Sequence, residues 1–323
     1  MDGKRVARSA VVCLWALAAG GAWAWSDRPI RMIVPAPPGG TMDVVARALA
    51  DQLAADSGTT AVVDNRPGAG GGIGMQAMLA APADGLTVMV TASTVLTEIP
   101  HVLKGGFDPL KDVRPVTAAV RGLLVMVAHP GVPATGVREF VTYARANPGK
   151  LSIASYSTGT ASHYAAMMLN QKAGLDLVHV PFAGSPPALT QVIGGQIPVM
   201  FDGMATSLPQ IKAGKLKAFA VAGRTRTDLL PGVPSFAELD LPDVDFSNWV
   251  GVVASAALPA ETVERINAAV QKAAAAPRVR ERLTGAGFEL TPGGTPTQLA
   301  QAVRAEHERN AGIVRAFNIR LNQ

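Results

Sequence analysis

The sequence predicts an α/β protein of two lobes. Three observations carry this. Strand-like and helix-like stretches alternate along nearly the whole chain. The length after residue 24 suits two domains rather than one. Two extended runs, near 116–129 and 246–254, are placed to cross from one lobe to the other and back. On this reading residues 25–121 and 249–323 build one lobe and 122–248 the other. A chain that crosses, builds a second lobe and returns leaves a cleft between lobes, where ligands meet strand ends and helix starts.

Residues 1–24 have the parts of a secretory signal. Lys4, Arg5 and Arg8 are its basic region, Ala10–Ala19 its apolar core, and Ala22-Trp23-Ala24 fits the small-x-small cleavage rule. The apolar core falls short of the roughly 20 residues a membrane span needs. Cleavage after Ala24 is therefore expected, with export to the periplasm, leaving Trp25 at a free terminus.

Apolar Ile30–Val34 reads as a strand, and Pro35–Gly40 as a loop. Val44, Val45, Leu49 and Leu53 share one face of a helix with Thr41 and Asp43 as caps in its first turn. A strand over Thr60–Asp64, a glycine loop, a short helix from Ile73 and a strand over Thr87–Thr91 follow. Val116–His129 is extended but broken at Arg121-Gly122. Thr135–Asn147 is a helix with Phe140, Val141 and Ala144 inward. Next come a strand over Leu151–Ser155 and a helix over Gly159–Ala173. The stretch from Ser185-Pro186-Pro187 to Gly194-Gly195 is a helix capped by serine, with proline in its first turn and glycine after its end. Ile197–Phe201 and Lys217–Val221 are strands, the second after a helix around Pro209–Ala213. Ser235–Glu238 is a capping box and Phe246–Val253 a strand. The tail is helical, with Val263, Ile266 and Val270 on one face and Leu299, Val303, Val314 and Phe317 on another.

Cys13, the only cysteine, lies in the signal, so the rest of the chain has no disulfide, thiolate nucleophile or cysteine metal site. Without the signal 26 basic residues stand against 23 acidic ones, with no basic run interleaved with aromatics. That excludes nucleic acid as a natural partner.

The Pro37–Thr41 segment ends a strand in glycines and opens a helix, which makes it a seat for an anion. Glycines let N–H groups turn outward, and a helix start adds partial positive charge. Pro38, Gly39, Gly40 and Thr41 are ligand-binding candidates for that reason, whereas a bare carboxylate at Asp43 would repel an anion and suits a cap. Ser155-Tyr156-Ser157-Thr158-Gly159-Thr160-Ala161-Ser162 gathers more hydroxyls than capping one helix requires. Ser155, Ser157, Thr158, Gly159, Thr160, Ser162 and His163 are therefore candidates as well, and Ser93 and Asp202, each following a strand, join them. Gly68–Gly74 matches neither Gly-x-Gly-x-x-Gly nor a phosphate-binding loop, and reads as a turn whose backbone lies near the cleft.

With those residues in view the chain resembles the Bug family, the periplasmic receptors of tripartite tricarboxylate transporters. The likeness rests on Arg28-Pro29-Ile30-Arg31, on Pro35–Gly40 with Asp43, and on Asn65-Arg66-Pro67-Gly68-Ala69-Gly70-Gly71. It continues in Asp108–Asp112, Gly159–His163, His179–Ser185, Met200-Phe201-Asp202 and Ala213–Ala218. The resemblance implies a type II periplasmic binding fold that closes like a Venus flytrap, works as a monomer and catalyses nothing. It implies one ligand carboxylate at Pro37–Thr41 and another polar end at Ser155–His163, with a contribution near Asp202. It implies cytoplasmic-membrane transporter subunits as partners. Two departures bear on the ligand: Thr158-Gly159-Thr160 stands where the family often has Asn-Gly-Thr, and Phe182-Ala183-Gly184 where it often has Tyr-Lys-Gly.

The competing reading is an exported hydrolase acting on a small carboxylate-bearing substrate, with an adhesion module third. His101, His129, His163, His179 and His307 show no metal spacing, no serine sits in a Gly-x-Ser-x-Gly elbow, and Asp202 lacks a partner base in sequence. No cofactor or metal is expected. The sequence thus favours a receptor for a small organic carboxylate.

Overall fold

A computed structural model describes residues 25–102, 106–291 and 293–317. The expected signal, residues 1–24, lies outside them. The first lobe opens with β1 (Ile30–Val34), α1 (Thr41–Ser57), β2 (Ala61–Asn65), α2 (Gly72–Leu79), β3 (Thr87–Ala92) and the single-turn α3 (Thr94–Thr97). Then β4 (Val113–Ala128) leads to α4 (Val137–Arg145), β5 (Ser152–Ser155), α5 (Ala161–Ala173), β6 (Val178–Pro181), α6 (Ser185–Ile193), β7 (Val199–Gly203), α7 (Met204–Lys212) and β8 (Lys217–Ala222). The chain returns through β9 (Ser247–Ser255) to α8 (Ala260–Ala275), α9 (Pro277–Gly285), β10 (Phe288–Leu290) and α10 (Pro296–Phe317).

Side-chain alternation explains the layering. In β1, Ile30, Met32 and Val34 join one core with Val45, Leu49 and Leu53 of α1, while Ile33 joins the opposite core with Met75, Met78 and Val303. In β4, Leu124, Met126 and Ala128 face one core of the second lobe and Val125 and Val127 the other. A period of two on strands buried on both faces places helices on both sides of the sheet.

The sheet order is β2-β1-β3-β9-β4-β7-β5-β6, with β8 and β10 also on β4. β4 changes partners along its length: Val113–Leu123 pairs with β9, and Leu124–Ala128 pairs with β7 and β8. The expected break at Arg121-Gly122 is absent, because both residues stay paired, with Trp249 and Asn248. The polar pair marks the approach to the change of partner, not an end of the strand.

Three further expectations need correction. Trp25, expected at a loose terminus, is held in place: it is 7% exposed, packs in the α1 core and its indole donates to the Gly85 carbonyl at 2.9 Å. A side chain that large and apolar, with one donor that found a partner, is held by burial. The caps of α1 and α6 are the glycines Gly40 and Gly184, with no side-chain cap, so Thr41 and Ser185 are the first helical residues. The Ser235–Glu238 box does form, its two bonds measuring 2.8 and 3.3 Å.

Candidate functional site

The starts of four helices meet at one cavity of about 310 Å³ between the lobes. α1 brings Gly40, Thr41 and Met42; α5 is preceded by Ser157, Thr158 and Thr160; α6 and α7 bring Gly184-Ser185 and Gly203-Met204. Gly68–Gly71, Thr94, Val95, Asn248, Leu123, Leu124, Tyr156, Phe182 and Phe288 complete much of the wall. No described residue lining the cavity carries a formal charge. Any charge a ligand brings must therefore meet N–H groups, hydroxyls and helix dipoles.

At α1 the local hydrogen bonds decide which donors remain. Gly39 has φ +76°, which favours glycine, and its N–H donates to Asp43 Oδ2 at 2.8 Å. Arg47 and Asn65 also donate to the Asp43 carboxylate, at 2.8 and 2.9 Å. Burial acts to raise the Asp43 pKa, but these three donors outweigh it and hold the group below the usual carboxylate range. Gly40 N–H donates to Pro37 at 3.1 Å. The N–H groups of Thr41 and Met42 have no carbonyl one turn back, as at any helix start, and both residues line the cavity. Pro38 and Gly39 are exposed outside its wall, with Gly39 engaged in holding the loop.

The hydroxyl-rich loop divides in the same way. Ser157 and Thr158 line the cavity, as does Thr160, whose hydroxyl donates to the Ser157 carbonyl at 2.7 Å. Ser155 is buried behind the wall, 2.7 Å from His179 Nε2. Ser162 donates to the Phe201 carbonyl at 2.5 Å, tying α5 to β7. Gly159 packs toward the other lobe, where a methyl built on it would fall 2.5 Å from Val102 Cγ2. Ser93 lies buried at the end of β3, its N–H on the Trp249 carbonyl at 2.9 Å, and its neighbours Thr94 and Val95 reach the cavity instead. Asp202 is fully buried and accepts from the Thr206 and Ser207 hydroxyls at 2.5 and 2.8 Å.

His163 accepts the Gly159 N–H at Nδ1, 3.1 Å away, and its ring stacks on His179 at 3.8 Å between centroids. Burial, with the second ring beside it, drops the His163 pKa to about 3, and burial drops that of His179 to about 4. Both imidazoles are neutral in the folded protein, whereas unfolded histidine titrates near 6.5. The stability this provides is complete above that pH and is lost as pH falls through 6.5 toward 4 and then 3. The loss at His163 reaches at most about 1.4 kcal/mol per pH unit. Thermal melts between pH 7 and 4.5 should show a steeper fall for the wild type than for His163→Gln. Parallel slopes would remove the pair as the cause.

Sequence reasoning anticipated backbone near the cleft at Gly68–Gly74. Residues 68–71 line it with φ of +120°, +47°, +61° and +103°, the second of these at Ala69. It did not find Tyr156, Asn248 or Ser185, whose residue types carry no signal of facing a cleft built from both lobes.

The family described as tripartite tricarboxylate transporter family receptor matches residues 45–319. Protein BugT of Bordetella pertussis is 32% identical over 91% of this chain and 90% of its own length. A solved R. palustris protein with adipate is 28% identical, covers 92% of this chain and 99% of its own, and has a TM-score of 0.87. MatC from Rhodopseudomonas palustris with bound malate is 30% identical, with 89% and 99% covered and a TM-score of 0.83. With these likenesses running through both lobes, the chain belongs to the tripartite tricarboxylate transporter receptor family and has the α/β fold of its periplasmic binding proteins.

Proposed function

We propose that this protein is a non-catalytic periplasmic receptor that captures a small organic carboxylate between its lobes and delivers it to membrane subunits of a tripartite transporter. The observation that carries the reading is the convergence of four helix starts on a cavity lined by no charged side chain. Dipoles and N–H groups favour an anion there, while apolar walls take its carbon skeleton. Adipate and malate in similar proteins fit that chemistry.

In this reading Gly40, Thr41, Ser157, Thr158 and Thr160 contact the ligand. Pro38, Gly39, Ser93, Ser155, Gly159, Ser162, His163 and Asp202 hold those contacts in position. The lobes are 25–121 with 249–323, and 122–248; they close about β4 and β9, and the exported monomer begins at Trp25. Closure is a population shift, so the ligand must bind the closed arrangement more tightly than the open one.

Mass spectrometry of material co-purified with the protein would identify the ligand. Calorimetry with that acid, its amide and its methyl ester then tests the chemistry. The acid should bind more tightly than either derivative, by on the order of a hundredfold for a charge-assisted contact. Equal binding of all three would contradict the reading.

A further inference from the structure

We infer that Glu98 is a positioning residue of the cleft, one that lets the first lobe close on the start of α5 when its carboxyl holds a proton. Ligand capture then takes up a proton from solvent at the Glu98–Glu306 pair. This rests on the receptor reading above and adds the regulation of its closure.

Glu98 sits where the lobes meet. It directly follows α3, whose Thr94 and Val95 line the cavity, and it is 7% exposed. Its carboxyl stands beside the N–H of Ala161, the first residue of α5, which follows the cavity residues Thr158 and Thr160. The residues after Glu98 continue the contact. Ile99 and Val102 pack with Tyr164 of α5 and with Val314 and Phe246. A methyl built on Gly159 would lie 2.5 Å from Val102 Cγ2 and 3.6 Å from Ile99 Cδ1. Water is thus kept from Glu98 by residues of both lobes.

A second acid shares this wall. Ring N–H groups tie α10 to the Glu98 segment, His307 to the Leu96 carbonyl at 3.1 Å and His101 to the His307 carbonyl at 2.9 Å. Asn310 adds a bond to Thr97 Oγ1 at 3.2 Å. These bonds keep Glu306, on α10, close enough for its charge to act on Glu98. Burial first, and then Glu306, push the Glu98 pKa well above the usual carboxylate range, against Arg309 and the Ala161 N–H. Burial also raises Glu306, against Arg309, Arg121 and the Trp249 indole N–H. Both guanidiniums are exposed, so water screens them. Tyr156 and Tyr164, which also feel the Glu98 charge, are neutral hydroxyls that burial raises further. No lysine or arginine among the described residues is buried, so one proton is what relieves the two acids.

When the lobes part, α5 leaves Glu98, water reaches the carboxyl and it ionises in the ordinary carboxylate range. Closing buries it again and penalises the charge, so the closed form holds the proton more tightly than the open one. Affinity is therefore greatest at low pH. It falls as pH rises from the open-form value toward the closed-form one, by at most about tenfold per pH unit for one proton. A neutral Glu98 also leaves the partial positive charge of the α5 start to the ligand.

The test is calorimetry of wild type, Glu98→Gln and Glu306→Gln with malate and with straight-chain dicarboxylates of four to eight carbons. Runs from about pH 5.5 to about 8.5, in buffers of different ionisation enthalpy, count the protons taken up on binding. Protons of the ligand, His163 and His179 cancel between wild type and Glu98→Gln. Wild type should take up more protons than Glu98→Gln. The variant should match wild-type affinity at the low end and exceed it at the high end, by on the order of tenfold. Glu306→Gln, with the neighbouring charge gone, should confine the uptake to lower pH. Equal uptake in wild type and Glu98→Gln overturns the inference. So does a Glu98→Gln protein weakened by one factor at every pH, which would make Glu98 structural. If the wild type binds none of these acids, the carboxylate reading itself fails, and the inference with it.

Discussion

Gly184→Ala is expected to weaken carboxylate binding by on the order of a hundredfold while both lobes stay folded. Gly184 has φ +123°, where a side chain is strained, and the added methyl would fall 2.5 Å from Pro37 Cδ and Cγ. Pro37 belongs to the loop before α1 and Gly184 caps α6, so the collision lies across the cleft. Separating the lobes relieves it. Overpacking of this kind costs about 1–3 kcal/mol, and the upper end of that range, applied to the closed state alone, corresponds to roughly two decades in affinity. Gly214→Ala is the control: φ there is +70°, but nothing lies within 4 Å of the added methyl. It should lower the melting temperature slightly and leave calorimetry unchanged. Matching affinities for the two variants would mean that the Pro37–Gly184 contact does not form in the bound state.

Gly251→Ala should be the most damaging single methyl for the fold. Gly251 sits in β9 between Thr91 of β3 and Ala118 of β4. The register of β4 against β9 shifts on both sides of this point, between Pro115 and Thr117 and between Ala118 and Val120. Those bulges press β4 backbone onto Gly251, and an added methyl would overlap the Thr117 carbonyl oxygen and lie 2.8 Å from Ala118 Cα. Backbone in the middle of a sheet cannot swing away as a side-chain tip can. A loss of about 3 kcal/mol or more is expected, a fall in melting temperature on the order of 10 °C. Gly232→Ala, with open space around the added methyl, should melt close to wild type. A Gly251→Ala protein with wild-type melting would refute the bulged pairing.

Much of this architecture was legible because its signals are local. Ile30–Val34 is a strand with the bounds expected of it, since an apolar run flanked by proline has few other conformations. Ser185–Ile193 is a helix because prolines suit its first turn and Gly194-Gly195 end it. Periodicity likewise placed Val263, Ile266 and Val270 on the buried face of α8. The errors came where a local sign has two meanings. Ser185 has the residue type of a cap, but Gly184 takes that position, and Ser185 becomes the first helical residue, on the cavity wall beside the buried Asp202 carboxyl. Trp25 was expected to be loose because the cleavage rule puts it at a terminus, and the burial of a large indole outweighs position in the chain.

The sequence by itself determined the alternation of strands and helices, the glycine-rich turns that end strands at helix starts, and the lack of lysine or arginine in Pro35–Met42 and Ser155–Ser162. An anion seat made of backbone follows from that composition. Only the tertiary structure decided which of these donors remain free. Ser162 is spent on Phe201, Ser155 is joined to His179, and Gly39 is taken by Asp43, whereas Ser157 and Thr158 line the cavity. The physical reason is that a buried donor bonds whatever acceptor packing brings within about 3 Å. For Ser162 that acceptor lies 39 residues away, and for the lobe contact Gly184 meets a proline 147 positions earlier in the chain. Such distances leave no trace in local pattern, so the binding surface emerges only when both lobes are in place.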